Sequence, residues 1–253
     1  MNKIALITGA TAGFGEAIAN TFAKNNFDLI ITGRRTERLE KLKTSLESEF
    51  QVKVLTLSFD VRDQSAVKIN LNSLPKEWQS IDILINNAGL ASGLNHIQDG
   101  DIEDWDRMID TNVKGLLYVS KSIIPLMIER KKGHIINIGS TAGKEVYENG
   151  NVYCASKHAV DAISKGMRID LLGTGIKVTQ IVPGAAETEF SLVRFHGDEA
   201  RAKAAYNGYQ PMTPNDIAEQ VYYVTTLPEN LCINDMVITS LAQANSYYIN
   251  REN

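Results

Sequence analysis

Residues 3–19 read KIALITGATAGFGEAIA: a short apolar run, then Gly9, Gly13 and Gly15, then an alanine-rich amphipathic segment. The first part predicts a buried strand, the last a helix, and the glycines a turn between them with little room for side chains. Such a turn aims backbone amides and the positive end of a helix dipole at one point, which is the way a pyrophosphate is received. A glycine triplet alone marks only a tight strand-to-helix turn. Its weight here comes from position, at the first strand–helix junction, with a second strand ending 18 residues beyond Gly15.

Outward from that junction the pattern repeats. KIALITG, DLIITG, VKVLTLSF, IDILINN, HIINIGS, KVTQIVPG and MVITS read as about seven strands. Their apolar character is continuous, as expected when both faces of a parallel sheet are covered. Between them lie helical segments such as RTERLEKLKTSLESEF, with Leu39, Leu42 and Leu46 on one face. Strand followed by helix, repeated, predicts an α/β chain with right-handed crossovers and a doubly wound parallel sheet. No repeat, low-complexity tract or linker divides the chain, so residues 1–253 are expected to form one domain. The stretch from Ala185 to Leu227 lacks a strand signal, and its opening, around 185–212, is expected to form a lid over the carboxyl edge of the sheet.

Composition narrows the function classes. Apolar residues make up 43% of the 253, charged residues 22%, and the formal charge is −4 without a basic block. These values fit a globular protein and argue against a nucleic-acid partner. No apolar run reaches membrane-spanning length, and the N-terminus meets glycines and a glutamate too early for a signal peptide, so a cytoplasmic protein is expected. Cys154 and Cys232 are too few for a disulfide framework, and His96, His134, His158 and His196 stand apart, so no metal site is expected.

The second strand ends in TGRR, residues 32–35. A carboxylate there would bond the ribose hydroxyls of NAD, whereas a guanidinium can clamp a 2′-phosphate. Gly33 removes the acid, Arg34 and Arg35 supply charge, and the reading is NADP; the alternative is a pair of solvated surface arginines. In YCASK, Tyr153 and Lys157 share a helix face. A tyrosine near its free pKa of ~10 is a poor base at neutral pH. A nearby ammonium favours its phenolate and makes proton exchange with an alcohol or carbonyl oxygen feasible. Alone, this pair would be an ordinary amphipathic helix.

It does not stand alone. The TGxxxGxG turn, Asp60 and Val61, NNAG at 86–89, Asn112, Ser140, Tyr153 with Lys157, and Pro183–Gly184 with Thr188 occur together and in order. With them the chain resembles the short-chain dehydrogenase/reductase family from its first strand to its last. The resemblance implies a single-domain Rossmann-type fold, a homotetramer, and a set of roles. Tyr153 is the general acid/base, Ser140 hydrogen-bonds the reacting oxygen, Lys157 binds the nicotinamide ribose and tunes Tyr153, and Asn112 anchors a water leading to Lys157. On the cofactor side, Gly9, Thr11, Gly13, Phe14 and Gly15 form the turn, and Asp60 and Val61 line the adenine pocket. Asn87, Ala88 and Gly89 line the ribose side; Pro183, Gly184 and Thr188 contact the nicotinamide end.

GATAGFGE, TGRRTERL, NIGSTAG, TEFSLVRF and the chain's ending are similar to the NADP-dependent 3-hydroxy acid dehydrogenases within that family. This implies a small hydroxy acid or semialdehyde as substrate, such as serine, L-allo-threonine or malonic semialdehyde. PGAAETEF departs from the PGLV pattern of that group at Ala185 and Ala186. A carboxylate substrate needs a cation or several amides, and for the cation Arg194 is the first candidate and Lys144 the second; the alternative for Arg194 is a surface ion pair with Glu189, Asp198 or Glu199. Rival functions are a broad carbonyl or 3-oxoacyl reductase of the same family, and a non-catalytic NADP-binding sensor. The terminal SYYINREN reads as an interface tail or a frayed end.

Overall fold

Each β-branched run forms a strand. In the computed structural model, which describes residues 2–252, they are β1 (Ile4–Ile7), β2 (Asp28–Gly33), β3 (Val54–Ser58), β4 (Ile81–Asn86), β5 (Gly133–Ile138), β6 (Ile176–Pro183) and β7 (Asp235–Ile238). All neighbours pair in parallel, in the order β3-β2-β1-β4-β5-β6-β7. The order reverses between β1 and β4, which opens a crevice at the strands' carboxyl ends.

The helices are α1 (Gly13–Lys24), α2 (Thr36–Phe50), α3 (Gln64–Asn72), α4 (Ile102–Ile109), α5 (Leu116–Arg130), α6 (Asn151–Asp170), α7 (Glu189–Arg194), α8 (Glu199–Ala204) and α9 (Pro214–Thr225). Successive strand residues face opposite layers, and both layers are apolar. Ile7 and Ile31 join Ile18, Phe22, Leu39 and Val221 from α1, α2 and α9. Leu6 and Ile30 join Val67, Val119, Ile123 and Val160 from α3, α5 and α6. Full burial of such side chains contributes roughly 1.5–3 kcal/mol each, and the two-sided demand explains why the strands read as unbroken apolar runs. In α2, Leu39, Leu42 and Leu46 are the buried residues, as their spacing predicts.

The stretch after β6 carries no strand. It forms α7 and α8, with Thr188 Oγ1 accepting from Phe190 N at 3.0 Å to start α7. Tyr206 fastens this segment, its hydroxyl lying 2.7 Å from Ser191 Oγ and donating to Ala186 O at 2.9 Å. The described part of the C-terminal tail is tied to its own chain. Asn250 N donates to Ala242 O at 2.8 Å, Ser246 N to Glu145 Oε2 at 3.1 Å, and Arg251 to Ala205 O at 3.1 Å. No helix among the described residues is long and apolar enough to cross a membrane.

Candidate active site

A cleft of about 520 Å3 runs along the carboxyl edge, from the end of β2 to the end of β6. Its walls include the expected cofactor residues Gly9, Thr11, Gly13, Phe14, Arg34, Arg35, Asp60, Val61, Asn87, Ala88, Gly89, Pro183, Gly184 and Thr188, together with Ser140, Tyr153, Lys157 and Arg194. Gly15, Asn112 and Lys144 lie outside the lining.

The first turn is shaped by conformations and distances that exclude side chains. Gly9 and Gly13 have φ of +68° and +55°, in the left-handed region. A Cβ on Gly15 would stand 2.3 Å from Gly9 O, so this glycine serves helix–turn packing beneath the cleft. Asn87 clamps the turn, with Nδ2 donating to Thr8 O at 2.8 Å and to Gly9 O at 3.2 Å. What results is a cradle of open amides at the start of α1, suited to a pyrophosphate.

The two arginines of TGRR separate in role. Arg34 is half exposed and meets a protein carboxylate only loosely, 3.7 Å from Asp60. Arg35 is engaged on three sides, donating to Thr11 Oγ1 at 2.9 Å, to Thr11 O at 3.1 Å and to Glu189 Oε2 at 3.1 Å. Arg38, one helical turn on, pairs with the other Glu189 oxygen at 2.8 Å. Burial works to raise the Glu189 carboxyl, but the hydrogen bonds and charges of Arg38 and Arg35 outweigh it and hold it below its usual value. Arg34 is therefore the less engaged guanidinium of the two, and Arg35 braces the turn against the start of α7. A Cβ on Gly33 would lie 2.8 Å from Thr11 Cγ2, so the glycine also leaves room for that methyl group. Asp60 bonds Arg62 at 2.7 Å. Burial again works to raise it, and the hydrogen bonds and charge of Arg62, with the charge of Arg34, bring it below its ordinary value.

At the other end stand the residues of the YxxxK set. Ser140 lies two residues past β5 and caps the following turn: its Oγ accepts from Ala142 N at 3.1 Å, which leaves the hydroxyl proton to be donated elsewhere. Tyr153 and Lys157 sit one turn apart on α6, both buried. Lys157 Nζ donates to Ile138 O at 2.9 Å. Burial alone lowers its ammonium to about 8. Burial pushes the Tyr153 phenol above its usual value and Tyr147 adds to this, while the Ser140 hydroxyl and the Arg194 charge pull the other way.

Asn112 occupies a π-helical turn, Asp110–Gly115, between α4 and α5, a distortion that recurs at functional sites. Its Oδ1 accepts from Leu90 N at 2.8 Å, and its Nδ2 donates to Leu90 O at 2.8 Å and Ser156 Oγ at 2.9 Å. Ser156 Oγ in turn donates to Tyr153 O at 2.7 Å. The side chain thus pins the Tyr153 turn of α6 to the Leu90 loop.

Arg194 makes no ion pair with Glu189, Asp198 or Glu199. Its Nη2 donates to the Tyr147 hydroxyl at 2.8 Å, and its guanidinium carbon lies 5.5 Å from the Tyr153 ring centroid. No carboxylate among the described residues is paired with it. The second candidate, Lys144, is not brought to the cleft. Its Nζ is bound by Asp161 of α6 and lies 3.8 Å from Asp235 at the start of β7.

Several cleft residues went unnoticed in the sequence. Tyr147 and Phe190 frame Tyr153, the latter meeting its ring edge-on at 5.6 Å. Gln243, Ser246 and Ile249 of the tail close the far wall. Arg38, outside the lining but paired with Glu189, had a readable signal, three residues after Arg35; the tail residues had none.

The family model described as short chain dehydrogenase matches residues 3–197. The NADP-dependent 3-hydroxy acid dehydrogenase YdfG of Salmonella typhi is 49% identical over 242 residues, covering 95% of this chain and 96% of that protein. Sulfoacetaldehyde reductase 2 of Chromohalobacter salexigens is 44% identical over 245 residues, 96% of each. Among solved structures, the closed form of serine dehydrogenase complexed with NADP+ matches with a TM-score of 0.92 at 46% identity, over 96% of this chain and 97% of that one.

Proposed function

The chain belongs to the short-chain dehydrogenase family, and from that premise we propose that it is an NADP-dependent oxidoreductase interconverting a small 3-hydroxy acid and its 3-oxo or semialdehyde counterpart. When bound, the cofactor accepts or supplies a hydride at the substrate carbon; the chain's own residues bind, orient and move the proton. The turn of Gly9, Thr11, Gly13, Phe14 and Gly15 receives the pyrophosphate, and Arg34 beside the start of α2 receives the 2′-phosphate. Asp60 and Val61 face the adenine, Asn87, Ala88 and Gly89 the ribose side, and Pro183, Gly184 and Thr188 the nicotinamide end.

In oxidation, the alcohol proton passes to the Tyr153 phenolate; in reduction, the Tyr153 hydroxyl returns it to the carbonyl oxygen. The Ser140 proton, left over from its cap, bonds that same oxygen and holds its developing charge. Lys157 is assigned to the ribose and to Tyr153. Residues 185–212 act as the lid. The observation that carries the substrate class is Arg194, a cation of that lid with no carboxylate partner among the described residues, set over Tyr153. A carboxylate there would gain a charge-assisted pair in a half-buried site.

The resemblance of nearly half of all positions to a sulfoacetaldehyde reductase supports a second reading, since one guanidinium serves a sulfonate as well as a carboxylate. A homotetramer is part of the proposal: Ile169 and Leu172 are 76% and 85% exposed, and β7 is an uncovered edge.

The test is the initial rate of NADPH formation or loss with purified protein. NADP and NAD are offered against L-serine, L-allo-threonine, 3-hydroxypropionate and a neutral secondary alcohol, with sulfoacetaldehyde in the reducing direction. Turnover of hydroxy acids with NADP is expected. Turnover of the neutral alcohol alone would overturn the substrate class.

A further inference from the structure

A permanent positive charge lies over the Tyr153 ring, and it comes from the lid. The Arg194 guanidinium carbon is 5.5 Å from that ring's centroid and 5.4 Å from the Tyr147 ring's. Its place is set from two sides. Nη2 donates to the Tyr147 hydroxyl at 2.8 Å, and the Arg194 carbonyl accepts from Gly93 N at 2.9 Å. The same helix, α7, brings Phe190 edge-on to Tyr153.

These two lid residues act on the phenol in opposite directions. Taking Tyr153 out of water disfavours its phenolate, and an apolar ring against it deepens that effect. A cation over the ring favours the phenolate. The groups facing Tyr153 are Ser140 from just past β5, Tyr147 from the loop before α6, Cys154 and Lys157 from α6 itself, and Arg194 from α7. Burial raises the phenol most, followed by Tyr147; Ser140 and Arg194 counter them, and Cys154 adds a smaller upward effect. Lys157 bonds a backbone carbonyl, and with its ammonium lowered to about 8 it loses charge as the solution becomes alkaline. A guanidinium keeps its charge throughout that range.

We infer that Arg194 is a positioning residue for proton transfer in addition to being the partner of the substrate's acid group: α7 holds over Tyr153 the cation that keeps it ionisable in a dry site. The inference rests on Tyr153 being the acid/base group of the proposed reaction. It has a consequence of its own. A substrate carboxylate offsets the Arg194 charge, so acidic and neutral substrates differ in pH dependence.

The experiment is the pH profile of kcat for oxidation by NADP-loaded protein, with a neutral secondary alcohol and with 3-hydroxypropionate, in wild type, Arg194→Gln and Arg194→Lys. With the neutral alcohol, the ascending limb is expected to move up by about one pH unit or more in Arg194→Gln, and to return towards wild type in Arg194→Lys. In the wild type, the limb for 3-hydroxypropionate lies above that for the neutral alcohol. A limb unmoved by Arg194→Gln, whatever happens to KM, overturns the inference, as does Arg194→Lys behaving like Arg194→Gln. If no neutral alcohol is oxidised, the same shift is read by NMR of isotope-labelled tyrosine, with Tyr153 assigned through Tyr153→Phe; an unmoved titration then overturns it. Failure to turn over any hydroxy acid would defeat the proposed function and leave this NMR reading independent.

Discussion

The two walls of the cleft are built by different means. On the side of β1 and β2, position is fixed by backbone: glycines in left-handed conformations, a Cβ-sized gap closed by Gly9 O, and Asn87 bonded to main-chain oxygens. On the side of α7, α8 and the tail, position is fixed by side chains that reach far along the chain, such as Glu189 to Arg35, Arg194 to Tyr147 and Gln243 to Ala185. The first wall is held by main-chain geometry and tolerates little. The second is assembled from side-chain contacts that can be exchanged one at a time.

The walls meet at Tyr153, where the largest effect is expected. Tyr153→Phe should lower kcat by about 10²–10⁴-fold while NADP binding, followed by fluorescence, is retained. Loss of binding together with turnover would mean that Tyr153 belongs to the cofactor wall alone.

The contrast in tolerance is tested by a pair of variants. Gly15→Ala must displace Gly9 O and should cost about 1–3 kcal/mol of stability, with weaker NADP binding. Glu189→Gln removes half-exposed ion pairs and should cost under about 1 kcal/mol. Thermal unfolding of both variants is the check, and equal losses would erase the distinction between the walls.

Cofactor selectivity sharpens the comparison further. Arg34→Ala should weaken NADP by about tenfold, the worth of one charge-assisted pair, and leave NAD unaffected. Arg35→Ala loosens Thr11 and Glu189 together and should weaken both cofactors. Dissociation constants for the two, measured on each variant, decide whether the arginines differ as their bonding implies.

Legibility in the sequence follows the same division. The strands, α2 and the glycine turn could be read because periodicity and glycine spacing are local consequences of covered faces and tight turns. Ser140, Tyr153 and Lys157 could be paired because helix geometry and family order bring them together. Arg34 and Arg35 read alike, and what separates them is Glu189, more than 150 residues later. Lys144 looked available for the same reason in reverse: Asp161 is within a short stretch of chain, but only the packing of α6 turns it inward. Tyr147, Phe190 and the tail residues Gln243, Ser246 and Ile249 carry no spacing rule that ties them to Tyr153. Their places arise from how the α7 segment and the tail pack against the cleft.

The measurement that bears most directly on the proposed function is kcat/KM for 3-hydroxypropionate relative to a neutral secondary alcohol, with NADP, in wild type and in Arg194→Ala. The lid cation as acid-group partner predicts a fall in that ratio of about tenfold or more, carried by KM for the acid. A ratio that does not change, with both substrates affected equally, would contradict it.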